Sequence, residues 1–236
     1  DRLLTSNISF NTYYARLQNK SEEYNDFFDA VTIGETYLFR EEKHFKIIDE
    51  VVLPELVSQK QTIALWSAAC ANGCEAYSLA VLCAHINENR KFTFSVLSSD
   101  INRAGLTVCE RGELPLSALR DDGSSFQRLI EQNATIIKNK KVIDFKKEIK
   151  EYITVQNINL YQDEFEKVIT QKDIIFLRNL FIYMSDKARV VILEKIIQTL
   201  SNGGFLFLSS SEVPFVAHAA LQLREYNGTY FFKKKI

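Results

Sequence analysis

Residues 65–80 read LWSAACANGCEAYSLA. The stretch opens inside a short apolar run, 62–68, of the kind that forms a strand buried on both faces of a parallel sheet. Residues 71–73 make a turn, and Glu75 stands at the start of a helix predicted to reach about Asn87. Residues 92–98 repeat the strand signal, which stops at Asp100, and Asn102 is placed to cap a helix running through Glu110. Strand, helix, strand, helix in this order predicts an open α/β sheet, in which ligands sit outside the carboxyl ends of the strands at the switch in strand order. Small residues around Gly73 fall at one such end and Asp100 at the next. Taken alone, the turn reads as tight strand-to-helix packing, because the GxGxxG dinucleotide fingerprint is absent. Asp100 alone serves equally as a helix cap or as a ribose ligand. At successive strand ends the two together point to a cofactor cleft.

Outward from this core, a second helix is expected after Thr36, carrying Phe39, Phe45, Ile47, Ile48 and Val51 and ending near Leu53 and Pro54. Residues 11–30 also read as helical, with Tyr13, Tyr14, Leu17, Tyr24, Phe27 and Phe28 at helical intervals. The expected division is a short, truncated N-terminal helical segment at 1–34 and a main domain at 35–236. Residues 112–156 are less regular, and the runs 134–137 and 141–145 predict a small antiparallel β-subdomain inserted at about 112–150. The alternation then resumes with strand 173–177, helix 186–200, turn 201–204 and strand 205–209. Asn227-Gly228 between 221–226 and 229–234 predicts a closing hairpin. An open parallel sheet finished by an antiparallel hairpin is the layout found in Rossmann-like methyltransferases, a possibility that the order of elements raises without proving.

The 236 residues carry a net charge of -1, with 46% hydrophobic and 25% charged side chains, which suits a globular chain and argues against general nucleic-acid binding. No apolar run reaches the ~20 residues of a membrane helix, and no signal peptide opens the chain. Cys70, Cys74, Cys83 and Cys109 lack the spacing of a zinc site and read as reduced, apolar thiols of a cytosolic protein, so no metal is expected. His44, His85 and His218 read as core or surface residues.

Several strings, in order, resemble signature segments of the CheR family of chemoreceptor methyltransferases. TYLFREEKHF at 36–45 is similar to the family's T-x-F-F-R-x-x-x-x-F, and WSAACANGCEAYSLA at 66–80 to its W-S-A-A-x-x-x-G-x-E-x-Y-S-x-A loop. SSDIN at 98–102 is similar to its D-I motif and Asn159-Leu160 to its N-L pair. IIFLRNLFIYMS at 174–185 resembles I-F-x-R-N-x-x-I-Y-F, and GGFLFLSSSE at 203–212 its G-G-x-L-x-x-x-x-x-E strand. The resemblance covers about Ala30 to the C-terminus.

It implies a class I methyltransferase that moves a methyl group from S-adenosylmethionine to glutamate carboxylates of chemoreceptors, releasing S-adenosylhomocysteine in the cytoplasm. Thr36, Arg40, Glu75, Asp100, Asn159, Leu160, Arg178 and Asn179 are then the cofactor pocket. Glu75 lies near the amino-acid end, Asp100 holds the ribose, and Asn159 with Leu160 borders the adenine. Arg40 and Tyr183 are the catalytic pair nearest the methyl group and the acceptor. A glutamate, with a reference pKa of about 4.3, is already ionised at neutral pH, so its attack needs alignment and exclusion of water rather than a general base.

The chain departs from the pattern at Cys74 and Ala76 in GCEAYS, at Leu177 and Met184, and at Gly34, where an Asn can contact the cofactor. The family's basic N-terminal helix, which meets the acidic cytoplasmic helices of receptors, is represented only by Arg2, Arg16 and Lys20 ahead of Glu22, Glu23, Asp26 and Asp29. The inserted β-subdomain resembles one that in some members docks a receptor tail peptide. The competing reading is a CheR-like module that binds cofactor and partner without turnover, against which Arg40, Asn179 and Tyr183 are retained.

Overall fold

Seven strands form the main sheet of the computed structural model, which describes residues 8–19 and 22–236. Arg2 and Lys20 of the expected receptor-facing helix lie outside the described residues. The first strand, β1 (Thr62–Ala68), is central because every residue from Ile63 onward is buried or half-buried. It pairs in parallel with β2 (Thr93–Asp100), Leu65 opposite Val96, and on its other side with β7 (Lys172–Leu177), Trp66 opposite Ile175. With β6 (Ile153–Asn157), β8 (Leu200–Phe207), β9 (Leu221–Tyr226) and β10 (Thr229–Lys234), the order is β6-β2-β1-β7-β8-β10-β9. The chain therefore builds outward from β1 to β6, then returns to the other side of β1. Only β10 runs antiparallel to the rest, since it pairs antiparallel with β8 on one side and with β9 on the other. This is the Rossmann-like class I methyltransferase sheet with the closing hairpin.

The continuous apolar run in β7 has a direct cause, since its side chains alternate between two cores. Ile174 and Phe176 face the layer holding Phe45, Leu79 and Phe207, while Ile175 and Leu177 face Trp66, Ile192 and Ile196. Phe45, Phe176, Phe207 and Phe231 form a ladder of stacked rings with centroids 5.5, 4.8 and 5.5 Å apart.

A second sheet of β3 (Glu113–Pro115), β5 (Val142–Phe145) and β4 (Ala134–Ile137) is the expected inserted subdomain. The end of the stretch read from sequence as irregular, 153–156, instead belongs to β6 (Ile153–Asn157) at the edge of the main sheet. An edge strand buries little, and ITVQN carries too few apolar residues to announce itself.

Two other boundaries differ. The helical stretch at 11–30 is two helices, Phe10–Gln18 and Glu22–Val31. Leu53 and Pro54 do not end the helix after Thr36. It begins at Glu42, widens to a π-helical turn over Ile48–Val52, and continues as Leu53–Val57 with the proline at its start. The wider turn relieves the clash a proline ring otherwise makes with the carbonyl one turn back. The predicted turn at 201–204 lies inside β8 as a register jump, Lys172 facing Leu200 but Ile174 facing Phe205. Gly204 permits it, because a Cβ there would stand 2.9 Å from the Ser201 carbonyl oxygen.

Candidate cofactor and acceptor site

The carboxyl ends of β1, β2, β6 and β7 converge where the strand order reverses, and a cleft of two adjoining cavities opens there. The larger, about 410 Å³, is walled by apolar side chains including Ile101, Ile158, Leu160 and Leu180, and Asn159 and Tyr183 also line it. The smaller, about 60 Å³, is polar and bordered by Thr36, Arg40, Glu75 and Arg178. Ile33, Ala69, Asp100 and Asn179 border both. All the residues singled out from the sequence thus line one cavity or the other.

Strain concentrates at the same place. Of the nine non-glycine residues with positive φ among the described residues, five stand around the cleft: Phe39, Glu41, Ala69, Ala71 and Asn179. Left-handed backbone costs an L-residue about 1–2 kcal/mol, and such conformations persist where surrounding bonds enforce them. The enforcing bonds are present. The Phe39 amide donates to the Ser78 hydroxyl at 2.8 Å, the Ala71 amide to Asp100 at 2.8 Å, and the Asn179 amide to Glu212 at 2.7 Å.

Asp100 bridges two turns, for its second oxygen accepts the Asn102 amide at 2.8 Å. Burial pushes its carboxyl above the usual range, against the pull of the Asn102, Ala71 and Ile101 amides. The carboxylate thus ties two turns while Asp100 borders both cavities, and each oxygen, with one amide bond, retains capacity for a further donor. Asn102 caps the Arg103–Arg111 helix as expected, accepting the Gly105 amide at 2.7 Å. Asn159 shapes its own turn, its side-chain oxygen accepting the amides of Tyr161 and Gln162 at 3.1 Å each.

Arg178 is no solvated strand cap. Its side chain is 1% exposed, and it donates to Glu75 at 3.2 Å and to the Arg40 carbonyl at 2.7 Å while pairing with Glu41 at 3.1 Å. It holds the Arg40 turn against the start of the Cys74–Arg90 helix that follows β1. Burial raises the Glu75 carboxyl, opposed by the Arg178 guanidinium and by the Ser67 hydroxyl, which donates to it at 2.6 Å. Arg40 itself is half-buried, donating to the Glu35 carbonyl at 3.0 Å. Tyr183, on the short turn Phe181–Tyr183, is 58% exposed at the rim.

Several contributors escaped the sequence reading. The Glu22–Val31 helix and its continuation supply Phe28, Val31, Thr32 and Ile33 to the larger cavity. Asn102 donates to the Thr32 hydroxyl at 2.8 Å, and the Arg103 amide to Asp29 at 2.8 Å, fastening that helix beside β2. Asp122 of the inserted region accepts the Tyr37 hydroxyl at 2.7 Å and the Glu41 amide at 3.0 Å, so the insertion braces the turn carrying Arg40. Exposed acids of this kind leave no pattern in a sequence. Glu41 and Glu212, by contrast, stand inside quoted strings, and a carboxylate next to a strand's carboxyl end is the signal that could have found Glu212.

Among the described residues no cluster of metal-ligating side chains occurs, the four cysteines are free and buried, and no helix is long and apolar enough to cross a membrane. The donor set fits S-adenosylmethionine: a paired-oxygen carboxylate at the junction for vicinal hydroxyls, an apolar arm for a flat base, and an acid in the polar arm for an ammonium group.

Residues 34–229 match the family described as CheR methyltransferase, SAM binding domain. The chain is 30% identical over 215 residues to chemotaxis protein methyltransferase 2 of Vibrio cholerae, covering 89% of this chain and 73% of that protein. It is 32% identical over 190 residues both to chemotaxis protein methyltransferase Cher2 of Pseudomonas putida and to chemotaxis protein methyltransferase 1 of Pseudomonas aeruginosa, covering 78% of this chain and 67% and 68% of theirs. On the matched domain and the shared strings, set around a cleft at the topological switch point, the chain belongs to the CheR family of S-adenosylmethionine-dependent methyltransferases.

Proposed function

We propose that this chain methylates glutamate side chains on the cytoplasmic helices of chemoreceptors. The observation that carries the reading is the junction of the two cavities, where a polar arm with Arg40 and Glu75 meets an apolar arm with Tyr183 at its open rim. The names of the relatives support chemotaxis as the setting.

Bound S-adenosylmethionine supplies an electrophilic methyl group on its sulfonium. Asp100 takes the ribose hydroxyls, Glu75 the ammonium group, and Ile158, Asn159 and Leu160 border the adenine, with Thr36 and Asn179 completing the walls. Arg178 acts through others, holding Glu75 and the Arg40 carbonyl in place. The acceptor carboxylate arrives ionised, so no residue has to remove a proton. Arg40 pairs with it through charge-assisted hydrogen bonds, and the Tyr183 hydroxyl orients it toward the methyl carbon.

Incubation of the protein with methyl-labelled cofactor and receptor-bearing membranes of its own organism tests the reading. Base-labile label on a receptor band is the expected result. Tight cofactor binding with no label on any receptor would replace the enzyme by a binding module.

A further inference from the structure

Glu212 is wholly buried in the turn after β8. One carboxylate oxygen accepts the amides of Asn179 at 2.7 Å and Ser209 at 3.1 Å together with the Ser209 hydroxyl. The other accepts the amides of Phe181 at 2.7 Å and Ile182 at 3.4 Å. Every group around it is a donor, so the site requires an acceptor-only side chain and a carboxylate satisfies it. Three of the donors belong to residues 179–182, the segment that leaves β7. Its first residue there, Asn179, is held at φ 56 and borders both cavities, and its end is the Phe181–Tyr183 turn that sets the Tyr183 ring at the cleft rim. Hydrogen bonds to a charged group are the stronger kind, and here they fix an otherwise disfavoured backbone in the wall of the site.

We propose that Glu212 is a positioning residue for methyl transfer: its carboxylate clamps the 179–182 backbone so that Asn179 and Tyr183 stand at their places in the cleft. The inference rests on the function proposed above for the role of Tyr183, but the clamp itself is a property of the folded chain. In Glu212→Gln the shape is kept while one end becomes an NH2 group, which must face the amides of either Asn179 and Ser209 or Phe181 and Ile182, donor against donor. Glu212→Asp keeps an acceptor-only group on a shorter arm.

The test combines residue-resolved amide exchange, S-adenosylhomocysteine titration and single-turnover methyl transfer on wild type and both variants. In Glu212→Gln, exchange at Asn179, Phe181 and Ile182 should accelerate at least ~10-fold, as loss of one charge-assisted bond dictates, while the amides of β7 keep their wild-type rates. Methyl transfer at saturating cofactor should fall at least ~10-fold on the same reasoning. Glu212→Asp should recover a larger share of both than the amide does. Wild-type exchange at the three amides, uniform acceleration across the sheet, or a Gln variant as active as the Asp variant would overturn the proposal. If wild type methylates no receptor, the proposed function fails, and the exchange pattern with the expected weaker product affinity of Glu212→Gln still decides the clamp.

Discussion

Replacing Asp100 by alanine separates the two uses of its carboxylate. In the folded chain the side chain accepts the Ala71 and Asn102 amides, each at 2.8 Å. Bonds to a charged acceptor are worth roughly 1.5–3 kcal/mol each. Burial already disfavours the ionised carboxyl, as its raised pKa shows, and removing it returns part of that cost. The net destabilisation is therefore about 1–3 kcal/mol, and since a domain of this size loses roughly 2–4 °C per kcal/mol, Tm should drop by roughly 2–12 °C. A ribose-binding carboxylate makes two further bonds to the ligand, so the Kd for S-adenosylhomocysteine should rise at least ~10-fold, with added loss from the freed Ala71 turn. Calorimetric titration gives the Kd, and thermal unfolding with and without the product gives an independent value, because bound ligand raises Tm according to its affinity. A lowered Tm with unchanged Kd would reduce Asp100 to a turn-tying carboxylate and remove it from the cofactor site.

Tyr183→Phe should leave product affinity within ~2-fold and stability unaltered, its ring being exposed, yet slow single-turnover methyl transfer; equal rates would defeat the role of the hydroxyl. Asp122→Ala should free the Tyr37–Glu41 turn and lower transfer by ~3–10-fold, on the order of one hydrogen bond, with little change in Tm because the acid is exposed. His44 is buried beside Arg178 and 3.7 Å from Glu41, and burial first, then Arg178, hold its pKa well below the usual value. An imidazole kept neutral in the fold but protonated when unfolded contributes stability that is complete above about pH 6.5 and is lost as pH falls below it, by up to ~1.4 kcal/mol per pH unit. Urea unfolding at pH 7.5 and 5.5 should therefore show a steeper acid loss in wild type than in His44→Leu, and parallel losses would refute the assignment.

The parts of the fold that were legible in the sequence are those whose burial is two-sided or whose turns have their own chemistry. β1 and the β9–β10 hairpin appear at the residues expected, the first from an unbroken apolar run and the second from Asn227-Gly228, both at positive φ. β6 and the π-helical turn before Pro54 were not legible, for opposite reasons. The edge strand buries too little to leave a pattern, and the helix buries so much that tertiary packing of Phe45, Ile48 and Leu53 carries it through a proline.

The candidate site was legible as a set of residues but not as a structure, because its buried charged side chains are engaged with other groups of the protein. Arg178 donates to Glu75, Glu41 and the Arg40 carbonyl, while Asp100 accepts two backbone amides and Glu212 accepts four. A motif string marks where such residues fall along the chain, yet says nothing of which of them faces a ligand and which holds its neighbours. The division follows from exposure and bonding: Tyr183, Arg40 and Asn159 keep surface toward the cleft, while Arg178 and Glu212 are buried behind it. Loss of a buried member leaves charged or polar partners unsatisfied and disturbs several walls at once, whereas loss of an exposed one removes a single contact with ligand or acceptor. Double variants therefore discriminate the two classes: Glu212→Gln combined with Tyr183→Phe should slow transfer by less than the product of the single effects, since the first already displaces the hydroxyl that the second deletes.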